Sequence, residues 1–65
     1  MKALIKELRR VKQFDMDGKM FLPYKGLTEK GFIHNDYLQD KLNNAKGLIE
    51  KGWSIEASIN YYFKN

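Results

Sequence analysis

Few residues of this chain have the chemistry that catalysis requires. Its 65 residues include one histidine, His34, and no cysteine, so thiolate ligands, thiol nucleophiles and disulfides are excluded. A lone histidine next to a helix start is usually a surface or capping residue, and nothing else in the sequence completes a site around it. Asp36 and Asp40 share a helix face, but it is the polar one. We therefore expect a protein that is not an enzyme and has no cofactor.

The segment 15–18, Asp-Met-Asp-Gly, matches part of the calcium loop of EF-hand proteins. In the same register Gln13 would occupy the first ligand position, and Tyr24 would occupy the position that requires a bidentate glutamate. The sequence therefore predicts no calcium site and no other metal site.

The basic residues are concentrated at the start of the chain. The net charge is +4, and all of the excess lies within residues 1–14, in Lys2, Lys6, Arg9, Arg10 and Lys12. At 100° per residue, most of these cations lie on the opposite side of a helix from its apolar residues. They are either the solvated face of a packed helix or a face that binds an anion or a partner. Nucleic acid or an acidic protein surface would suit such a face, and membrane binding is the weakest alternative.

The aromatic residues point towards protein binding. Four tyrosines, four phenylalanines and one tryptophan are more than so small a core obviously needs, and aromatic residues are enriched at protein interfaces. Trp53, between two predicted helices, is either a plug that closes the helix pair or an exposed anchor for a partner. Tyr61 projects away from the apolar stripe of the last helix, on the side of Ala57, so we expect it to be partly exposed. Trp53, Ala57 and Tyr61 form a candidate contact patch.

The elements that position these residues are three predicted helices, at about 2–13, 36–51 and 54–64. Asn35 and Ser54 are good N-caps, and Gly52 ends the second helix. The apolar stripes predict which residues face the core. They are Leu4, Ile5, Leu8 and Val11 in the first helix, Leu38, Leu42, Ala45 and Ile49 with Tyr37 and Leu48 in the second, and Ile55, Ile59, Tyr62 and Phe63 in the third.

Between the first two helices the chain is rich in turn residues. Asp17-Gly18 favours a β-hairpin with a two-residue loop, which would place Phe14 opposite Phe21, Met16 opposite Lys19, and Pro23 at an edge. The competing interpretation treats residues 15–24 as an irregular loop.

Residues 27–33 predict a short helical turn. Thr28 would cap this turn and Gly31 would stop it. Phe32 and Ile33 would then both point inward.

Two local resemblances involve the predicted corner around Gly52. Gly52-Trp53-Ser54 resembles the turn of DNA-binding helix-turn-helix units, but Leu48 and Ser58 stand where that motif has alanine and an apolar residue. The segment 48–54 is similar, over a short stretch, to the end of the first helix and the following loop of ubiquitin-associated domains. Neither match assigns a binding residue, so the sequence predicts an ordinary helical hairpin.

Together these features indicate one small, mainly α domain over residues 1–65. A chain of this length buries only roughly 60% of its unfolded surface, so most large apolar residues are needed for the fold. We expect a cytoplasmic, non-enzymatic regulator or adaptor that binds a protein or self-associates. The alternative is a small nucleic-acid-binding protein that places its first helix on phosphates. The size and the lysine- and asparagine-rich composition suit an accessory or phage-encoded regulator.

Overall fold

The computed structural model describes residues 2–14, 16–21 and 24–63. These residues form three helices and two short hairpins, in the order α1 (Lys2–Leu8), β1 (Gln13–Phe14), β2 (Met20–Phe21), β3 (Leu27–Thr28), β4 (Gly31–Phe32), α2 (Asp36–Glu50) and α3 (Ile55–Tyr62). The predicted three-helix, mainly α fold is confirmed, and so is a hairpin around Asp17-Gly18. The predictions made for Asp15, Pro23 and residue 64 lie outside the described residues.

The core lies where the three helices and the second hairpin meet. Helix α3 packs on both α1 and α2, and β4 packs on α2. The predicted stripes supply most of the buried side chains, which are Leu4, Ile5, Leu8, Phe32, Leu42, Ala45, Ile59 and Phe63. Tyr37 and Leu48 are exceptions, because Tyr37 is 68% exposed and Leu48 is not part of the core cluster. The spacing of apolar residues thus determines the interior, since each helix buries one face.

Helix α1 ends at Leu8 and not at Gln13 as the sequence predicts. Its end tightens, because the Arg10 N–H donates to the Glu7 carbonyl at 3.0 Å and the Val11 N–H donates to the Leu8 carbonyl at 3.2 Å, both three residues back. The chain then enters β1, where the backbone of Gln13 pairs with β2. Strand pairing at Gln13 therefore outweighs the helical propensity of residues 9–13.

The first hairpin, β1 and β2, has a different register from the predicted one. Phe14 lies opposite Met20, and Gln13 lies opposite Phe21. The predicted pairs of Phe14 with Phe21 and of Met16 with Lys19 are therefore wrong by one residue. In the connection between Phe14 and Met20, Gly18 has a φ of 78°. Longer hairpin loops commonly place a glycine in this left-handed conformation.

The second hairpin, β3 and β4, replaces the predicted helical turn. Leu27 pairs with Phe32 and Thr28 pairs with Gly31, across a loop of two residues. The Thr28 hydroxyl is not a helix cap, because it donates to the Gly31 carbonyl at 2.9 Å and so bridges the hairpin. Phe32 is buried as predicted, whereas Ile33 is exposed. This is the outcome for an extended chain, in which neighbouring side chains point to opposite faces.

One side chain of α2 binds the second hairpin. The Phe32 N–H donates to Gln39 Oε1 at 2.7 Å, and Gln39 Nε2 donates to Asn43 Oδ1 at 3.0 Å. Gly31 leaves room for this amide, since a Cβ at Gly31 would collide with it, and the φ of Gly31 is 129°. Gln39 therefore has a structural role, although its position predicts only part of a polar face.

Three aromatic rings close one end of the core. Tyr24, Phe32 and Phe63 have ring centroids 5.8 to 6.2 Å apart, and the Tyr24 hydroxyl donates to the Phe63 carbonyl at 3.4 Å. Burial raises the pKa of Tyr24 above its ordinary value of 10.0. The cluster joins the loop before β3, strand β4 and the end of α3, so it links parts of the chain that are distant in sequence.

Candidate functional site

The predicted cations of the first segment are only partly brought together. Four of them, Lys2, Lys6, Arg9 and Arg10, line one concavity of about 410 Å³ with Ile5 and Glu29. We call it the basic concavity. Lys12 lies beyond the end of α1 and lines a different groove. All five cationic side chains are exposed.

The charges of the basic concavity are mostly uncompensated. Arg10 approaches Glu7 at 3.6 Å, one turn earlier. In the part of the chain that the structure describes, no carboxylate forms a salt bridge with Lys2, Lys6 or Arg9. A surface pair such as Arg10–Glu7 is worth at most about 1 kcal/mol, so this face remains strongly positive.

Trp53 lies at the corner between α2 and α3. A pair of hydrogen bonds shapes this corner, from the Gly52 N–H to the Ile49 carbonyl and from the Trp53 N–H to the Leu48 carbonyl, both at 3.0 Å. This is a Schellman motif, which needs the left-handed conformation of Gly52. The indole is 42% exposed, so it is not a buried plug.

Trp53 and Tyr61 are in contact, as a contact patch requires. Their ring centroids are 5.6 Å apart in an edge-to-face arrangement, and the ring of Tyr61 is 4.9 Å from that of Tyr62. Tyr61 is 65% exposed, which confirms its predicted exposure, and Ala57 is half-buried. These aromatic rings therefore present a partly exposed strip along α3.

The first hairpin carries exposed apolar residues that the sequence prediction missed. Phe14 is 64% exposed, Met20 is 53% exposed, and Met16, in the connecting loop, is fully exposed. Because Phe14 and Met20 lie directly opposite each other, their side chains are on the same face of the hairpin. We call this face, together with the exposed Met16 of the connecting loop, the hairpin face. The hairpin signal at Asp17-Gly18 identified the element, but the predicted register paired Phe14 with a different residue.

A groove of about 1010 Å³ runs beside the hairpin face. It lies between the end of α1, β1 and α3. Its lining residues include apolar side chains and both signs of charge, and they are Glu7, Arg10, Val11, Lys12, Gln13, Phe14, Tyr24, Glu56, Ile59, Asn60 and Phe63. Gln13 Nε2 is buried, and among the described residues it has no hydrogen-bond acceptor. A buried amide without a partner is uncommon.

The residues considered for catalysis or metal binding do not come together. His34 is exposed, with a φ of 60°, and Asp36 and Asp40 are also exposed. Among residues 2–14, 16–21 and 24–63, no three side chains of histidine, aspartate or glutamate are grouped as a metal site would need. The calcium interpretation of the segment 15–18 depends on Asp15, which is outside the described residues.

Comparisons with known proteins give no family for this chain. A scan against protein-family models, a search of curated proteins and a search of solved structures each found no match. Within the described part of the chain, no helix has both the length and the apolar character needed to cross a membrane.

Proposed function

We propose that this chain is a cytoplasmic, non-enzymatic regulator or adaptor that binds another protein through its hairpin face. The observation that carries the proposal is the exposure of Phe14, Met16 and Met20 on one hairpin. A chain this small needs most of its large apolar side chains in the core to be stable. Large apolar side chains left uncovered on one element are typical of an interaction site.

The position of the hairpin supports this proposal. The main contacts of β1 and β2 are with each other, whereas β4 also packs on α2. A two-stranded hairpin is marginally stable by itself, so the first hairpin gains most from a partner that covers it. Phenylalanine and methionine are enriched at protein interfaces, and the flexible methionine side chain adapts to the shape of a partner.

The neighbouring groove supplies polar contacts for such a partner. Arg10 and Lys12 line it together with Glu7 and Glu56, so both signs of charge are present. Mixed charges favour one orientation of a bound chain more than they add affinity. Phe14 lines this groove as well, so the hairpin face and the groove form one continuous surface.

The aromatic strip at Trp53, Ala57 and Tyr61 is a second candidate contact surface. Its rings are less exposed than the hairpin face as a whole, and they already pack on one another. We assign it a secondary role, as the contact between copies if the chain self-associates. Sedimentation at several concentrations tests this role, and a monomer at all concentrations would contradict it.

The main experiment compares capture by three forms of the chain. The test variant is Phe14→Thr with Met20→Thr, because threonine keeps strand propensity while it removes the apolar surface. The control is Tyr37→Gln, since Tyr37 is 68% exposed on α2, far from β1 and β2 in sequence. Each immobilised form is incubated with extract of the source cells, and bound proteins are quantified by isotope-labelled mass spectrometry.

We expect one or more proteins to be captured by the unmodified chain and by Tyr37→Gln. The same proteins should be reduced at least about tenfold with the hairpin variant, which corresponds to the loss of one or two interface anchors. Equal capture by all three forms would show that the hairpin face is not the binding surface.

A further inference from the structure

We infer that the basic concavity binds the phosphates of nucleic acid, without sequence preference. This goes beyond the proposed protein-binding role and uses a surface that shares only Arg10 with the groove beside the hairpin face. Four cations line the concavity, and Glu29 is the one carboxylate among its described lining residues. The face therefore has a net positive charge and a shape that partly surrounds a ligand.

The cations of the concavity are available to a ligand. Lys2, Lys6 and Arg9 form no salt bridge with the described carboxylates. The guanidinium of Arg9 has the fork geometry that binds phosphate oxygens in pairs. From Lys2 to Arg9 the chain rises about 10 Å, and phosphates in one strand of a duplex are about 3.4 Å apart along the axis. Three such spacings cover about 10 Å, so the concavity is long enough for roughly four successive phosphates.

Counterion release favours nucleic acid over an acidic peptide as the ligand of the basic concavity. Exposed ion pairs with isolated carboxylates are worth about 0–1 kcal/mol each. A nucleic acid also releases condensed counterions when cations approach its phosphates, so the same four cations bind it more strongly.

The experiment measures how binding depends on salt. The intact chain is titrated into a fluorescently labelled oligothymidylate of about 20 nucleotides, and anisotropy is followed between about 50 and 200 mM NaCl. Four phosphate contacts predict that log K falls with log salt with a slope of about −3, a loss of roughly fifty-fold in affinity over this range.

Matched charge variants identify the site. Lys6→Gln with Arg9→Gln removes two cations from the concavity and should reduce the slope to about −1.4. Lys25→Gln with Lys51→Gln removes two exposed cations outside it and should keep nearly the full slope. Glu29→Gln removes the carboxylate of the concavity and should raise the affinity, whereas Glu50→Gln, at the end of α2, should change it less. Circular dichroism checks that each variant is folded.

Three results would overturn the inference. The first is no binding at about 50 mM salt. The second is an equal loss of affinity in both double variants, which would reflect net charge alone and not this site. The third is equally tight binding of polyglutamate with the same dependence on Lys6 and Arg9, which would assign the concavity to an acidic protein. None of these results depends on the hairpin face, so the proposed function is tested separately.

Discussion

At the scale of single residues, polar side chains hold together elements that the apolar pattern cannot align. Gln39 shows this best, because its amide accepts from the backbone of Phe32 and donates to Asn43. The first of these bonds fixes β4 against α2, and so sets the position of the buried Phe32 ring. A residue in a polar stripe thus determines where a core residue lies.

We predict that Gln39→Ala lowers the free energy of unfolding by about 1–3 kcal/mol, since it leaves the part-buried N–H of Phe32 without an acceptor. Urea denaturation followed by circular dichroism measures the change. Asn43→Ala is the control, because it removes only the exposed end of the network and should cost less than about 0.5 kcal/mol. Equal effects of the two substitutions would show that the bond to Phe32 has no special role.

Tyr24 gives a prediction with a definite pH dependence. Burial raises the pKa of its hydroxyl above 10.0, so between that value and the raised pKa the folded chain keeps a proton that the unfolded chain loses. The stability that depends on the neutral hydroxyl is fully present below about pH 10 and is lost as the pH rises through the raised pKa.

The difference in unfolding free energy between the unmodified chain and Tyr24→Phe should therefore be constant from pH 7 to about 10. Above about pH 10 the unmodified chain should lose stability relative to the phenylalanine variant. Urea unfolding of both chains across this range measures the difference. A difference that stays constant up to about pH 11 would contradict the prediction.

At the scale of elements, the sequence predicted what is local and missed what depends on pairing. The caps at Asn35 and Ser54 form as expected, each accepting a backbone N–H at 3.0 to 3.1 Å. Helix stripes and caps are determined within a few residues, which is why α2 and α3 were predictable. The five basic residues were predictable for the same reason, since charge and helical spacing can be counted directly.

The hairpins were harder because their register depends on the connection and on the rest of the fold. Shifting one strand by one residue changes every cross-strand pair, so Phe14 was assigned the wrong neighbour. The second hairpin forms although Thr28 and Gly31 also suit a helical turn, since β4 gains contacts with Gln39 that the local sequence does not reveal. The hairpin face could therefore be located only from the structure.

At the scale of the whole molecule, core and surface residues contribute very different amounts to the free energy of unfolding. A chain of this size has a total stability of roughly 3–10 kcal/mol. Its fully buried large side chains include Leu4, Leu8 and Leu42, whereas Phe14 and Met20 are largely in contact with solvent. Truncating one buried leucine should therefore cost an amount that approaches the total free energy of unfolding. Replacing both Phe14 and Met20 should cost much less.

We predict that Leu42→Ala costs about 2–5 kcal/mol, from lost burial and from the cavity it leaves, and that much of the chain then unfolds at room temperature. Leu42→Met keeps the volume and should cost less than about 1.5 kcal/mol. Phe14→Thr with Met20→Thr should cost less than about 1 kcal/mol, since exposed substitutions have small effects. Thermal and urea unfolding, followed by helical circular dichroism, compare all three. If the hairpin variant unfolded as readily as Leu42→Ala, Phe14 and Met20 would belong to the fold, and their exposure could no longer be taken as the mark of a binding surface.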